Sequence, residues 1–303
     1  QPTTLNRGGA GATLTANTLA VGHQMFDLGA ADSVTNYYLT NATSTLNSSV
    51  SYLDVGNNSA ATTTAGGTVT GSALVYNNST MTLGADMSLR YSLQVESNST
   101  VDAANHNITA QNILVGTEGL PANLINTHTV QAVNLVIGSG SSVTFDLNDV
   151  IDNLISLSGN SRLTVLQPSG QLTGLTFNGQ NAGDLSLNDT SVLDLVFGSQ
   201  TQPNWIFRWL DPAGGGSWDA YLASLIASGQ IQITAPNGYS VLDQGGYTYI
   251  EGGFNQPTNA VPEPSTLVLA SVAGGILVFM RWRVKQRRRV SRQTSEGFGA
   301  SQL

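Results

Sequence analysis

From about Ala12 to Phe197 the chain repeats one pattern, an Asn/Ser/Gly turn followed by a short alternating apolar run. "NSSVSYLDVG", "NNSTMTLGAD", "SNSTVDA", "GSSVTFDL", "GNSRLTVL" and "NDTSVLDLVF" are instances. Asn and Gly tolerate positive φ, and Ser and Asn bond their own backbone, so these clusters turn the chain. The β-branched alternation that follows pleats into a strand. The first core residues of five runs are Met81, Val101, Val143, Leu163 and Val192, with gaps of 20, 42, 20 and 29 residues. A period near 20 or its double predicts a solenoid in which each turn of chain stacks on the next. The expected fold is all-β, a right-handed parallel β-helix. A β-sandwich with strands every 8–12 residues is the rival.

The composition excludes several function classes. Charged residues are 10% of the 303, and cysteine is absent, which removes disulfides, thiolate metal sites and a cysteine nucleophile. Residues 1–262 hold four basic side chains (Arg7, Arg90, Arg162, Arg208) against 17 acidic ones. A body of formal charge −13 repels nucleic acid, so no nucleic-acid partner is expected. The chain opens "QPTTLNRGGAGATLTANTLAV" with no initiator Met and no signal-peptide pattern. Either a signal peptide has been removed or the sequence begins inside a longer protein.

Near residue 200 the texture changes. Trp205, Trp209 and Trp218 crowd into "QPNWIFRWLDPAGGGSWDAYLASLIASGQIQIT". A helix is predicted over 217–228, with Ser217 as N-cap, Asp219 in its first turn and Gly229 as its stop. Trp218, Tyr221, Leu222, Leu225 and Ile226 share one face of it. Three β-runs follow, "QIQIT", "YSVLD" and "YTYIE". Residues 1–200 read as the solenoid body, 201–251 as a small α+β C-terminal cap, and 252–261 as a Gly/Pro/Asn linker. Burial explains the aromatics; carbohydrate binding is the second use open to them.

Catalytic signatures are missing from the body: no H-E-x-x-H, G-x-S-x-G, Walker or dinucleotide pattern occurs. His23, His106 and His128 lack metal-ligand spacing, and neither metal nor cofactor is expected. Asp146, Asp149 and Asp152 would converge with Asn148 on a calcium only in a helical turn; on a strand i and i+3 diverge. Asp184 and Asp189 form a loose pair of the kind any polar solenoid produces.

The chain ends differently. In "AVPEPSTLVLASVAGGILVFMRWRVKQRRR", Pro262 and Pro264 hold Glu263 in extended backbone. Ser265 can N-cap a helix, with Thr266 beside it. Leu267, Val268, Leu269 and the run to Ile276, Leu277, Val278, Phe279 and Met280 form an apolar helix of 14 residues. At about 1.5 Å per residue this covers about 21 Å of a core about 30 Å thick. It is a weak anchor. Arg281, Arg283, Lys285, Arg287, Arg288, Arg289 and Arg292 fix its basic end in the cytoplasm and the body outside.

The order V-P-E-P-S-T-L, single C-terminal hydrophobic helix, Arg-rich end resembles the PEP-CTERM sorting signal of exported bacterial proteins. The resemblance implies recognition of Pro262, Glu263 and Pro264, beside Ser265 and Thr266, by an exosortase-type membrane peptidase. It also implies transient inner-membrane insertion of segment 262–289, then delivery to the cell surface or extracellular matrix. The family pattern stops at the arginines, whereas residues 290–303 continue as a cytoplasmic extension. The body resembles Ser/Thr/Asn-rich β-helical passengers of autotransporter type. The resulting expectation is an exported structural or adhesive protein associated with exopolysaccharide. The alternative is a β-helix polysaccharide lyase or hydrolase with converging acids.

Overall fold

The computed structural model describes residues 13–146, 148–167, 174–188, 190–198 and 204–252. Contacts divide the chain into Gln1–Asn259 and Ala260–Leu303; the second unit, with the expected hydrophobic helix, lies outside the described residues. The first is an all-β parallel solenoid of about eight turns. Its larger sheet has 14 strands and its smaller one nine.

Each turn of chain lays one strand on each sheet, always parallel to the turn before. Strands Ile108–Val115, Val130–Ile137 and Val150–Leu157 stack this way in the larger sheet. In the smaller sheet Thr100–Asp102, Asn123–Ile125 and Ser142–Phe145 follow one another. Long strands turn a corner midway. In Ile108–Val115 the buried positions are 108, 110, 113 and 115, so Gln111 and Asn112 both stay outside. Two consecutive non-buried residues break the period of two, and the strand bends there.

Inside, like residues stack. The register places Leu53, Ala73, Leu93, Ile113, Leu135, Ile155 and Leu185 one above another. Val55, Val75, Val95, Val115, Ile137 and Leu157 form a second column. All thirteen are at most 1% exposed. Each leucine, isoleucine and valine among them contributes about 1.5–3 kcal/mol on burial, before chain entropy is counted.

The register also explains the irregular gaps. Met81, Val101, Leu124, Val143, Leu163 and Leu193 are successive partners. The gap of 42 hides one whole turn centred on Leu124, whose approach "EGLPAN" lacks the Asn-Ser signal. Val192 was one residue off. It lies opposite Arg162 and is half-buried, because it shares its face with Asp194, which pairs with Arg162, while Ser191 takes the preceding buried place.

That buried place carries the logic of the rhythm. The residue pairs Asn57–Asn58, Asn77–Asn78 and Ser97–Asn98 all have φ between 53° and 62°. Asn is the side chain that best tolerates this left-handed region, so the turns are written in Asn. The serine after each pair points inward. The Ala42 N–H donates to Ser59 Oγ at 3.1 Å, Ser59 N–H to Ser79 Oγ at 3.1 Å, and Ser79 N–H to Ser99 Oγ at 3.0 Å. Further along, the Ala122 N–H donates to Ser141 Oγ at 2.9 Å. The ladder satisfies turn N–H groups that burial removes from water. Changing Ser99 to alanine should therefore cost about 1–3 kcal/mol, read as a lower urea midpoint; an unchanged midpoint would show that the N–H finds another acceptor.

At the C-terminal end, Asn204–Leu210 pairs in parallel with Leu175–Phe177 and antiparallel with Tyr247–Gly252, on which Tyr239–Gln244 adds a last antiparallel strand. Ile231–Thr234 instead continues the smaller sheet beside Val192–Phe197. The helix runs Asp219–Ala227 with Trp218, not Ser217, at the N-cap and no side-chain cap bond. Tertiary bonds set that start: the Trp218 N–H donates to Thr248 Oγ1 and its indole N–H to the Leu210 carbonyl, both at 2.8 Å. Gly229 does end the helix, with φ of 80° and its N–H on the Ile226 carbonyl. Trp218, Leu222 and Leu225 are buried, and Tyr221 and Ile226 pack partly buried against the core.

Candidate functional site

The sorting, helix and basic residues at 262–292 lie outside the described residues, as do Leu147 and Asp189. Among the described residues no helix is long and apolar enough to cross a membrane. No group of three His, Asp or Glu among them is placed to hold a metal ion.

The aspartate triplet does not converge. Asp152 is exposed and accepts from Asn178 Nδ2 at 2.8 Å. Asp146 is half-buried, and burial raises its carboxyl despite the nearby His128. Asp149 is fully buried, and its Oδ1 accepts the Val130 N–H at 2.7 Å. Its Oδ2 has no hydrogen-bond partner among the described residues. Burial drives the Asp149 carboxyl well above its ordinary range; the Val130 bond opposes this, and Asp146 adds to it. Asp184 caps its own turn, accepting the Asn181 N–H at 2.9 Å. His106 and His128 occupy one corner of successive turns, His106 3.5 Å from Asp86. His23 sits in a left-handed turn.

The outer faces carry three features, each built across neighbouring turns. One is a concave polar groove of about 300 Å³ lined by Asp86, Met87, Ser88, Asn107, Thr109, Thr129 and Gln131. The backbone N–H and Nδ2 of Asn107 both bond the Asp86 carboxylate and, as the largest causes, hold its pKa below the ordinary value. Past the strand corner an amide ladder crosses the turns, in which Asn134 Nδ2 donates to Asn112 Oδ1 at 2.8 Å and Asn153 Nδ2 to Asn134 Oδ1 at 2.9 Å. Another is a tyrosine patch. Tyr38 and Tyr52 lie 5.6 Å apart, and Asp54 accepts a hydrogen bond from Tyr76.

The remaining feature lies on the closing sheet. Trp209 and Trp218 stack 4.2 Å apart inside, with Phe177 5.2 Å from Trp209. For these two tryptophans burial is the whole explanation. Trp205 differs. A bulge between Trp205 and Phe207 places Trp205 and Arg208 on the same outer face, although three residues apart on a regular strand they would diverge. The Arg208 guanidinium lies 4.6 Å from the Trp205 ring and 4.9 Å from the Tyr247 ring. Tyr249 closes the group, 6.3 Å from Trp205 and 6.1 Å from Tyr247. Sequence reasoning missed this set because a bulge leaves no mark in the alternation.

Asp211 and Asp243 interact at the C-terminal end. Asp211 is raised by burial, lowered by the Thr248 hydroxyl, and raised again by the charge and hydrogen bond of Asp243. No family model, no curated protein and no solved structure matches the chain.

Proposed function

We propose that this is an exported bacterial β-helix protein, sorted through its Pro-Glu-Pro tail to the cell surface or matrix, where its outer faces associate with exopolysaccharide. The observation that carries the reading is the ordered tail in the sequence: rigid Pro262-Glu263-Pro264, the short apolar run 267–280, and the arginine cluster from 281. The body suits the second half of the proposal. Its faces repeat amides, hydroxyls and aromatic rings along an axis, matching the repeated hydroxyls and apolar ring faces of a glycan.

Co-expression with an exosortase and blotting of cell fractions tests the sorting step. The wild type should lose its tail and appear outside the inner membrane. Glu263→Ala should accumulate uncut in the membrane fraction. Equal processing of both proteins would remove Glu263 from the recognition motif.

A further inference from the structure

The body's few cations are not equivalent. Arg162 pairs with Asp194 at 2.6 Å. Arg90 is exposed beside the Tyr91 ring, 5.2 Å from its centroid. Arg208 is half-buried between two aromatic rings, and no carboxylate comes within ion-pair distance of it among the described residues. Its Nε donates to Thr176 Oγ1 at 2.9 Å, which fixes the plane of the guanidinium and leaves its other nitrogens for an outside acceptor.

The surroundings keep that position cationic. Tyr247, Tyr249 and Glu251 alternate onto the outer face, whereas Thr248, on the opposite face, donates to Asp211 Oδ1. The Asp211–Asp243 pair therefore stays on the Thr248 side. Glu251 lies opposite Trp205 across the ladder, burial raises its carboxyl, and no ion pair joins it to Arg208 among the described residues. A held guanidinium fork without an anion, walled by rings, matches a planar carboxylate attached to an apolar ring face.

We propose that this outer face of the closing sheet binds a uronate unit of an acidic polysaccharide, Arg208 taking the carboxylate and Trp205, Tyr247 and Tyr249 packing against the sugar ring. The site rests on the exopolysaccharide reading above and narrows it to carboxylated glycans. The net negative body does not prevent this, since charges more than about 8 Å apart are largely screened at physiological salt.

The test titrates the full chain with alginate, a polyuronate, and with neutral dextran, followed by tryptophan fluorescence and calorimetry. Alginate should bind and quench, and dextran should bind at least about tenfold more weakly. Arg208→Gln should weaken alginate about tenfold or more, with Arg208→Lys intermediate because the fork is lost and the charge kept. Arg90→Gln, which removes the same charge elsewhere, should change nothing. Should Arg208→Gln fail to fold by circular dichroism, Tyr247→Leu replaces it and should weaken alginate severalfold. The proposal is overturned by wild type that ignores alginate, by equal binding of dextran, by an unaffected Arg208 or Tyr247 variant, or by an equal loss in Arg90→Gln. Tail removal in the exosortase assay is scored separately, so correct sorting with no alginate binding sinks only this site.

Discussion

Leu135→Ala should lower unfolding free energy by about 2–5 kcal/mol. Leu135 is fully buried at the middle of its column, with Ile113 in the turn before and Ile155 in the turn after. Truncation removes apolar burial and leaves a cavity between two rigid neighbours, since parallel ladders on both sides hold the backbone in place. A solenoid adds a further consequence, because each turn contacts only its neighbours and stability is close to a sum of intrinsic and interface contributions. A defect at Leu135 weakens two interfaces at once and divides the stack. Urea unfolding followed by two probes, tryptophan fluorescence, with Trp205, Trp209 and Trp218 at one end of the body, and far-ultraviolet circular dichroism overall, should then give separated transitions where the wild type gives one. A single coincident transition with a loss under 1 kcal/mol would mean that the column repacks freely.

Asp149→Asn should do the opposite and stabilise the protein at neutral pH, by about 1–3 kcal/mol. The wild-type carboxyl is fully buried, has one oxygen without a hydrogen-bond partner among the described residues, and lies near the like charge of Asp146. Its folded-state pKa is raised, so the native state holds the proton more tightly than the unfolded chain does. Its favourable contribution is complete below the unfolded value of about 3.9 and is lost as pH rises through the folded value. An asparagine keeps an acceptor for the Val130 N–H and carries no charge at any pH. The difference in stability between variant and wild type should therefore be small near pH 4 and grow towards pH 7–8. A difference independent of pH would show that the Asp149 carboxyl keeps an ordinary pKa.

Much of the fold was readable before any coordinates. The Asn-Ser turn is legible because only a few side chains accept paired left-handed residues, and those residues recur near every 20 positions. The apolar run after each turn is legible because a buried stack needs one inward residue per pleat. Gly229 was legible as the helix stop for the same local reason. The turn centred on Leu124 was not, since its approach is made by Pro121 and Ala122 and its place is set only by the strands on either side. Val192 against Leu193 is decided by the run itself, since Val192 shares its face with Asp194 whereas Leu193 shares its face with Leu195 and Phe197. Trp218 displaced Ser217 as the cap because Thr248 and Leu210, distant in sequence, bond it.

The site divides along the same line. The proposed sorting role of the tail rests on the order of its rigid, apolar and basic segments, which is local and therefore visible in the sequence. The face around Arg208 is assembled from residues 176, 205, 208, 247 and 249, which meet only through parallel and antiparallel pairing. No local pattern announces a bulge, and without the bulge Trp205 and Arg208 would stand on opposite faces. The sequence by itself determined the repeat and the turn chemistry, because each depends on neighbours along the chain. Tertiary structure alone decided which polar and aromatic groups share a surface, because strand register and a single extra residue in a ladder set that.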